Sequence, residues 1–416
     1  MKNLALFLPL LLFSTGIIAQ APSENPAEMI AIGDKHIIDS KILGEQREIL
    51  IHVPSDFYGM NETNMRYPIV VVMDGESQFI STVGVLDQLN SAASANDLCP
   101  AMIIVGIPNT NRDRDLTPTP GVVGSDSSSL SYTGGADKLA QFLEKELIPC
   151  IDKTYPTAPH RTLIGHSLGG LFALNTLIKF PHLFTNYLAI DPFMSWDDQR
   201  FSRYVIEQLS ENRFEGKNLY IATANTRMSW MDLNDVRSDT SEIMKVMRSV
   251  IEFGDELKKN KLAISFQNKL YENENHFQIP LIATYDGLRY FYQDYPFRKM
   301  VEYYHPDPPI AHANLTNELE AHFKKLSNQM GYTVRPMESY LNAWAFGFLQ
   351  WKKPKFAEQL FNLNTEYYPG SANVWAAKAH YFLTQNDTVQ AIRSLEKSLA
   401  IKEVTYVREQ LEALQK

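Results

Sequence analysis

A serine lies at the centre of a short pattern that could carry nucleophilic chemistry. Gly165-His-Ser-Leu-Gly169 is a G-x-S-x-G motif, and Gly170 follows it directly. The apolar residues before the motif are typical of a buried strand, and Leu171 to Phe180 have the composition of a helix. In such a strand–turn–helix the serine hydroxyl stands above the sheet, and the helix N-terminus points at whatever the serine attacks. We therefore predict Ser167 as a nucleophile; the alternative is an ordinary serine in a glycine-rich turn.

A nucleophilic serine needs a base, and His276 is the best-placed histidine. It follows the last predicted strand and precedes the helix predicted over 280–292, where a serine–acid–histidine order would place the base. Neutral His276 would accept the proton of Ser167 during attack on an acyl carbonyl and then deliver it to the leaving group. The oxyanion would be held by the backbone N–H of Leu168 and a second N–H near Gly75-Glu76. The alternative for His276 is a surface histidine in a loop.

The acid of a triad is the least clear member. It is expected after the strand that contains Tyr220, but Asn225-Thr-Arg227 offers no carboxylate. We predict Asp239, whose rival role is to cap a helix. A serine–histidine dyad with a polar orienting group is another alternative. The other candidate carboxylates are Asp191, Glu272 and Glu274.

The elements around these residues alternate between apolar strands and helices, which predicts an α/β fold with a mostly parallel sheet. Residues 34–54 alternate in strand style and predict an antiparallel pair at the sheet edge. In parallel sheets the functional site lies at the carboxyl ends of the strands. The loops expected to converge there follow Met73, Ile107, Ile164, Ile190, Ala224 and Tyr271.

From Leu315 onward the sequence becomes helical only, with a repeat at a 34-residue offset. This period, with small residues at two fixed places, is typical of tetratricopeptide helix pairs. Two units are fewer than the usual minimum of three, so we expect them to borrow stability from the helix at 314–330 or from the preceding domain. The alternative is generic helical hairpins with coincidental spacing. The recurring positions are Ala345, Phe348, Ala357 and Phe361, which correspond to Ala379, Phe382, Ala391 and Leu395.

The N-terminus has the pattern of a secretory signal peptide over residues 1–21. A basic start, an apolar run from Leu4 to Ile18 and the small-x-small site Ala19-Gln-Ala21 follow in that order. The alternative is an uncleaved membrane anchor. We predict export to the periplasm or the extracellular space, with no membrane span after cleavage. The predicted regions are then a hydrolase domain at 22–298, a linker at 299–314 and the helical region at 315–416.

Composition narrows the possible partners. The 416 residues carry a net charge of −9, which argues against nucleic acid or an anionic membrane surface. We predict no metal and no cofactor, because neither an H-x-x-x-H pattern, a paired-cysteine pattern nor a phosphate-binding glycine loop is present. The two cysteines, Cys99 and Cys150, could form one disulfide or remain thiols.

Four segments together resemble a known family. Tyr67 to Gly75, Ile104 to Pro118, Leu147-Ile-Pro149 and Gly165 to Gly170 are similar to the esterase D type of the α/β-hydrolases. That family includes enterobactin-type siderophore esterases, S-formylglutathione hydrolases, feruloyl and acetyl-xylan esterases, and mycolyltransferases. The resemblance covers roughly residues 30 to 295 and implies an α/β-hydrolase fold.

The resemblance implies serine carboxylesterase chemistry, with Ser167 as nucleophile and His276 as base. It maps the second oxyanion amide to Glu76. It also places Arg112 and Arg114 near the pocket mouth, where they could bind an anionic substrate. Ion pairs with neighbouring aspartates, Asp113 or Asp115, are the alternative for these two arginines.

The substrate remains open between a siderophore trilactone and an acylated polysaccharide or oligosaccharide. Trp196 and Trp230, near the strand ends, would suit a flat substrate, and core packing explains them equally. Export argues against S-formylglutathione, whose hydrolysis is a cytosolic task. Acyl transfer to another acceptor is a third possibility. A different class also stays open, namely a non-catalytic scaffold on a hydrolase fold that binds a protein partner through its helical repeats.

Overall fold

The centre of the molecule is a sheet of apolar strands. All seven residues of Tyr67–Met73 and all five residues of Ile103–Ile107 are buried, as expected for strands that are covered on both faces. The structure is a computed structural model that describes residues 30–54, 65–91, 96–123, 127–210, 214–260, 262–305 and 314–416. The predicted signal peptide lies outside these residues. The strands are β1 Asp34–Ser40, β2 Glu45–His52, β3 Tyr67–Met73, β4 Asn90–Ser91, β5 Asn96–Asp97, β6 Ile103–Ile107, β7 Thr157–His166, β8 Asn186–Ile190, β9 Asn218–Ala224 and β10 Ser265–Tyr271.

Eight of these strands form one sheet in the order β1-β2-β6-β3-β7-β8-β9-β10. β1 and β2 pair antiparallel, β2 pairs antiparallel with β6, and every later pairing in this sheet is parallel. The short strands β4 and β5 pair only with each other. The predicted α/β class with an antiparallel edge pair is therefore confirmed, and the carboxyl ends of six parallel strands lie at one edge.

Helices follow the strands as the sequence predicts. The helices are α1 Gly75–Leu89, α2 Arg112–Leu116, α3 Ala136–Phe142, α4 Ile148–Thr154, α5 Leu168–Lys179, α6 Arg200–Leu209, α7 Leu233–Ser238, α8 Glu242–Lys259, α9 Ile279–Phe291, α10 Met300–Tyr304, α11 Leu315–Met330, α12 Glu338–Gln350, α13 Pro354–Tyr367, α14 Ala372–Thr384, α15 Thr388–Ile401 and α16 Thr405–Gln415. Short 3₁₀ turns occupy 127–131 and 196–199, and a π-turn, Leu143–Leu147, joins α3 to α4.

Two helical segments differ from the predictions for local physical reasons. The apolar residues over 135–154 have helical spacing and predict one helix, but that helix widens into the π-turn just before Pro149. Pro149 has no N–H to donate, and its ring crowds the carbonyl four residues earlier. The polar composition of 225–237 predicts a loop, but this segment contains α7, because Asp232 and Asp235 form a reciprocal capping box at its start. The predictions missed α7 because its single turn carries no apolar period.

Two apolar clusters line the sheet. One contains buried residues of α3 to α6 together with one set of strand side chains, such as Val71 and Leu163. The other contains the opposite set, such as Val70 and Val72, and continues without a break into α9, α11 and α12. Residues 33–416 accordingly form one compact unit, and the C-terminal helices share a core with the sheet.

The C-terminal helices come in pairs with a constant spacing. α12 and α14 begin 34 residues apart, at 338 and 372, and so do α13 and α15, at 354 and 388. The helical character of this region is confirmed, and its assignment to tetratricopeptide repeats stays a prediction. Within the described part of the chain, no helix has both the length and the apolar character needed to cross a membrane. Cys99 is a buried free thiol and Cys150 an exposed one, so the disulfide alternative does not apply.

Candidate active site

Ser167 occupies a strained turn between β7 and α5. Its φ of 58° and ψ of −115° are unusual for a residue with a side chain. Gly165 must be glycine here, because a Cβ at that position would lie 2.0 Å from the carbonyl oxygen of Gly169. The turn is fixed from both sides: the N–H of Ser167 donates to the carbonyl of Ile190 at 2.9 Å, and its carbonyl accepts from the N–H of Phe193 at 3.2 Å. Such over-determined strain is typical of functional sites.

His276 binds a buried carboxylate, that of Asp191. Its Nδ1 donates to Oδ2 of Asp191 at 2.6 Å, and the two side chains are 23% and 3% exposed. A carboxylate on Nδ1 fixes the imidazole orientation and leaves Nε2 to accept a proton. The contact therefore prepares His276 for general-base chemistry.

Asp191 is itself held firmly at the end of β8. It has a φ of 40°, and its N–H donates to the carbonyl of Ala222 at 2.6 Å. Its second carboxylate oxygen accepts from the N–H of Ala224, the last residue of β9, at 3.0 Å. The carboxylate of β8 thus reaches across to the end of β9, the strand after which the acid was expected.

The structure contradicts the choice of Asp239 as the acid. Asp239 follows α7, and its carboxylate accepts from the N–H of Ser241 at 2.8 Å and from the Ser241 hydroxyl. These hydrogen bonds lower the pKa of Asp239 and occupy it as a local turn residue. Of the alternatives, Glu272 pairs with Arg227 at 2.7 Å, and only Asp191 is bonded to His276 in the part of the chain that is described.

The imidazole ring of His166 packs against the ring of His276. The ring of His166, the residue before Ser167, lies 4.5 Å from the ring of His276, centroid to centroid. Burial, and next the nearby charge of His276, lower the pKa of His166 to about 4. His166 is therefore neutral near neutral pH and places the ring of His276 at the serine turn without adding a charge there.

The two predicted oxyanion amides lie at helix N-termini. Leu168 is the first residue of α5, and Glu76 is the second residue of α1. The first N–H groups of a helix have no intrahelical acceptor, so both are suited to bind an anion. The side chain of Glu76 accepts from the backbone N–H of Asn109 at 3.1 Å and from its side-chain amide at 2.7 Å, so the α1 turn is tied to the loop after β6.

The two candidate substrate-binding arginines have different roles. Arg114 makes ion pairs with Glu45 and Asp115, both at 2.6 Å, and belongs to a network that also pairs the buried Arg47 with Asp115. The structure thus assigns Arg114 to the ion pair that the sequence offered as the alternative to substrate binding. Arg112 instead points to the turn that contains Ser167, where it contacts the carboxylate of Asp74 and the carbonyl of His166.

The two tryptophans that were candidates for substrate contact also differ, since one is buried and the other is exposed. Trp196 is buried, and its indole N–H donates to the hydroxyl of Thr119 at 3.0 Å, so it is a packing residue. Trp230 is 79% exposed in the loop after β9. Phe277, next to His276, is 86% exposed. Phe277 was not predicted as a site residue, although the sequence places its apolar side chain directly beside the predicted base.

This geometry and the comparisons with known proteins define the class of the molecule as an esterase-like hydrolase. A strained serine, a histidine with a buried carboxylate and two helix N-termini all lie at the carboxyl edge of a mostly parallel sheet. The family model described as Putative esterase matches residues 40–241, just under half of the chain. The fold is α/β-hydrolase-like.

The curated relatives include siderophore esterases. The chain is 23% identical over 253 residues to a siderophore triacetylfusarinine C esterase of Aspergillus fumigatus, covering 56% of this chain and 84% of that protein. It is 32% identical over 143 residues to the ferri-bacillibactin esterase BesA of Bacillus subtilis, covering 32% of this chain and 49% of that protein. The match thus spans about half of the second relative's length.

A solved structure extends the likeness beyond the family-model match. An IroE-like serine hydrolase from Shewanella oneidensis aligns with a TM-score of 0.65 and 29% identity, covering 80% of this chain and 99% of that chain. These similarities support a hydrolase that acts on esters.

Proposed function

We propose that this protein is an exported serine carboxylesterase that hydrolyses a siderophore-type ester through an acyl-enzyme. Ser167 is the nucleophile, His276 the general base and Asp191 the acid that orients it. The observation that carries the proposal is the 2.6 Å contact between His276 Nδ1 and the buried carboxylate of Asp191. A surface-loop histidine would have no reason to bond a side chain that is 3% exposed.

The reaction follows from this arrangement. Nε2 of His276 takes the proton of Ser167 as its oxygen attacks the ester carbonyl, and Asp191 stabilises the imidazolium. The N–H groups of Leu168 and Glu76 bind the oxyanion. His276 then gives the proton to the leaving alcohol, and water hydrolyses the acyl-enzyme by the same route in reverse. No metal or cofactor is required.

The substrate class is supported by the two relatives that act on siderophores, a triacetylfusarinine C esterase and a ferri-bacillibactin esterase. The exposed rings of Phe277 and Trp230 suit a large substrate that lies across the mouth of the site. On this proposal the carbohydrate esters become the competing substrates. The helical repeats are proposed as tetratricopeptide-like and stabilise the sheet domain through the shared core.

The test compares esters on the mature chain from Pro22. The panel contains p-nitrophenyl acetate, methyl ferulate, acetylated xylan, a ferric trilactone siderophore and a ferric cyclic trihydroxamate ester. We expect hydrolysis of p-nitrophenyl acetate and of one ferric siderophore, both abolished by Ser167→Ala. Ser210→Ala is the matched control and should retain full activity. It removes an exposed serine hydroxyl that donates only to the carbonyl of Ile206 in its own helical turn.

Two results would contradict the proposal. Preferred hydrolysis of methyl ferulate or acetylated xylan would overturn the siderophore assignment and leave the esterase. Silence on every ester, together with no labelling of Ser167 by a fluorophosphonate, would overturn the esterase itself and favour the scaffold alternative.

A further inference from the structure

A buried carboxylate lies directly beside both predicted oxyanion amides. Asp74 is the residue between β3 and α1, with a φ of 54° and a side chain that is 8% exposed. It precedes Glu76 by two positions. On its other side, a Cβ at Gly169 would lie 3.3 Å from its Oδ2, so the carboxylate rests against the first turn of α5 beside Leu168. A negative group at this place would repel the anion that the site has to stabilise.

Arg112 is bound to this carboxylate in a fork. Its Nε donates to Oδ1 of Asp74 at 2.7 Å, and its Nη2 donates to Oδ2 at 3.1 Å. This two-point geometry is the strongest form of an arginine–carboxylate pair and one that lysine cannot reproduce. The pair brings a positive charge to the position where the carboxylate alone would be unfavourable.

Arg112 also reaches the nucleophile turn. Its Nη2 donates to the carbonyl of His166 at 3.2 Å, which belongs to the peptide group that enters Ser167. The guanidinium therefore joins the turn after β3 to the turn after β7 in one side chain. Asn109 completes the connection, because its side-chain amide donates to Asp74 Oδ1 and to Glu76 Oε1, both at 2.7 Å.

We infer that Asp74, Arg112 and Asn109 form a positioning clamp for the oxyanion site, an inference that rests on the proposed esterase function. The clamp has two effects. It fixes the N–H groups of Leu168 and Glu76 at one spacing, although they come from two different turns. Arg112 also cancels the charge of Asp74, so the oxyanion forms beside a neutral pair instead of a free carboxylate.

Charge cancellation gives the clamp a signature that a merely structural ion pair lacks. Arg112→Gln leaves the charge of Asp74 without a positive partner, and we expect kcat for p-nitrophenyl acetate to fall about 10²- to 10³-fold, the size of losing one oxyanion donor. KM should change little, because the ground-state ester carries no charge. The double variant Asp74→Asn/Arg112→Gln removes both charges and should be at least about tenfold faster than Arg112→Gln alone.

Arg114 provides the matched control. It lies two residues along the same helix, is 31% exposed against 34% for Arg112, and also makes carboxylate pairs. Arg114→Gln should lower the melting temperature and leave kcat intact. As a second measurement, added guanidinium should raise the kcat of Arg112→Ala in a saturable way and should leave Arg114→Ala unaffected.

The outcomes separate the inference from the function it rests on. A wild-type protein that is silent on p-nitrophenyl acetate and unlabelled by a fluorophosphonate overturns the proposed function and the clamp together. An active wild type with an equally active Arg112→Gln overturns the clamp alone. A double variant no faster than Arg112→Gln, with no rescue of Arg112→Ala by guanidinium, also overturns it. A slow Arg112→Gln that is partly restored in the double variant establishes the clamp.

Discussion

The carboxylate of Asp191 follows β8 but lies where a carboxylate from the end of the neighbouring strand β9 was expected. It leaves the chain at the end of β8, yet one of its oxygens accepts from the N–H of Ala224 at the end of β9. Its other oxygen binds His276, which follows β10. The carboxyl ends of three adjacent strands are therefore connected through a single side chain.

This connection predicts that the same substitution at Asp191 and at Asp239 will have very different effects on kcat. Asp191→Asn should lower kcat by about 10⁴-fold, because an amide at this place favours the wrong tautomer of His276 and cannot stabilise its charged form. Asp239→Asn should leave kcat unchanged, since that carboxylate serves only Ser241. Steady-state kinetics of both variants on p-nitrophenyl acetate checks the prediction. A loss confined to Asp239→Asn would return the acid role to the residue first predicted.

The sequence predicted Ser167 and His276 directly but gave Asp191 only as an alternative acid, for a physical reason. Ser167 and His276 come from local patterns, a turn motif and a place after the last strand, so they could be located from spacing. The partner of His276 depends on how far a side chain reaches between two strands, which spacing along the chain does not encode. The signal available was an aspartate directly after a buried strand, Ile190-Asp191-Pro192, at the edge where the site was expected.

At the scale of the elements, the small β4–β5 pair contains an unusual buried charge. Asp97, in β5, is 8% exposed, and neither of its carboxylate oxygens has a hydrogen-bond partner among the described residues. Burial raises its pKa to about 7. It lies near the buried thiol of Cys99 and the phenols of Tyr295 and Tyr340, so part of its surroundings comes from the segment after α9 and from α12.

The raised pKa predicts a pH-dependent stability. For an acid whose pKa rises on folding, the protonated form favours the fold, and this contribution is lost as the pH rises through the folded-state value. Below about pH 4 the wild type and Asp97→Asn should therefore differ least. From pH 4 to 8 the variant should become progressively more stable than the wild type, by up to about 4 kcal/mol.

Urea unfolding of both proteins at several pH values measures this difference. Asp87→Asn, which alters an exposed carboxylate of the same α1–β4 region, serves as the control and should shift stability equally little at each pH. A constant offset between wild type and Asp97→Asn across this range would mean that Asp97 stays ionised in the folded protein.

Most helices and strands could be predicted from the sequence. The differences from the structure show which physical effects leave a pattern in the sequence and which do not. Apolar runs located β3, β6 and β7, because a strand buried on both faces must be apolar throughout. The exact start of α5 was placed three residues late, since Leu168, Gly169 and Gly170 belong to the motif and were not counted as helix. Asp97 was not singled out at all, because its burial is produced by packing against distant segments.

On the scale of the whole molecule, the C-terminal helices are part of the core and not an appended module. Tyr304, in the segment predicted as a linker, stacks on Phe348 of α12 with ring centroids 4.3 Å apart. Tyr295, just before that segment, contacts Phe323 of α11 edge to face at 6.1 Å. The apolar cluster continues from the sheet through these residues into the repeats. The sequence indicated two regions by a change of pattern, but only the packing shows that they share one core.

A shared core predicts that the sheet and the helical region unfold together. Phe323, which is 2% exposed, lies between them, and Phe323→Ala should lower the free energy of unfolding by about 3–5 kcal/mol. In urea, far-UV circular dichroism reports the helices of both regions, whereas ester hydrolysis reports the carboxyl edge of the sheet alone. Both should be lost at one midpoint in the wild type, and both midpoints should fall by the same amount in the variant.

Val389→Ala on α15, where the side chain is 61% exposed, should change the free energy of unfolding by no more than about 0.5 kcal/mol. Hydrolysis that persists after part of the helical signal has been lost in a separate, earlier transition would show instead that the sheet domain is stable without the repeats.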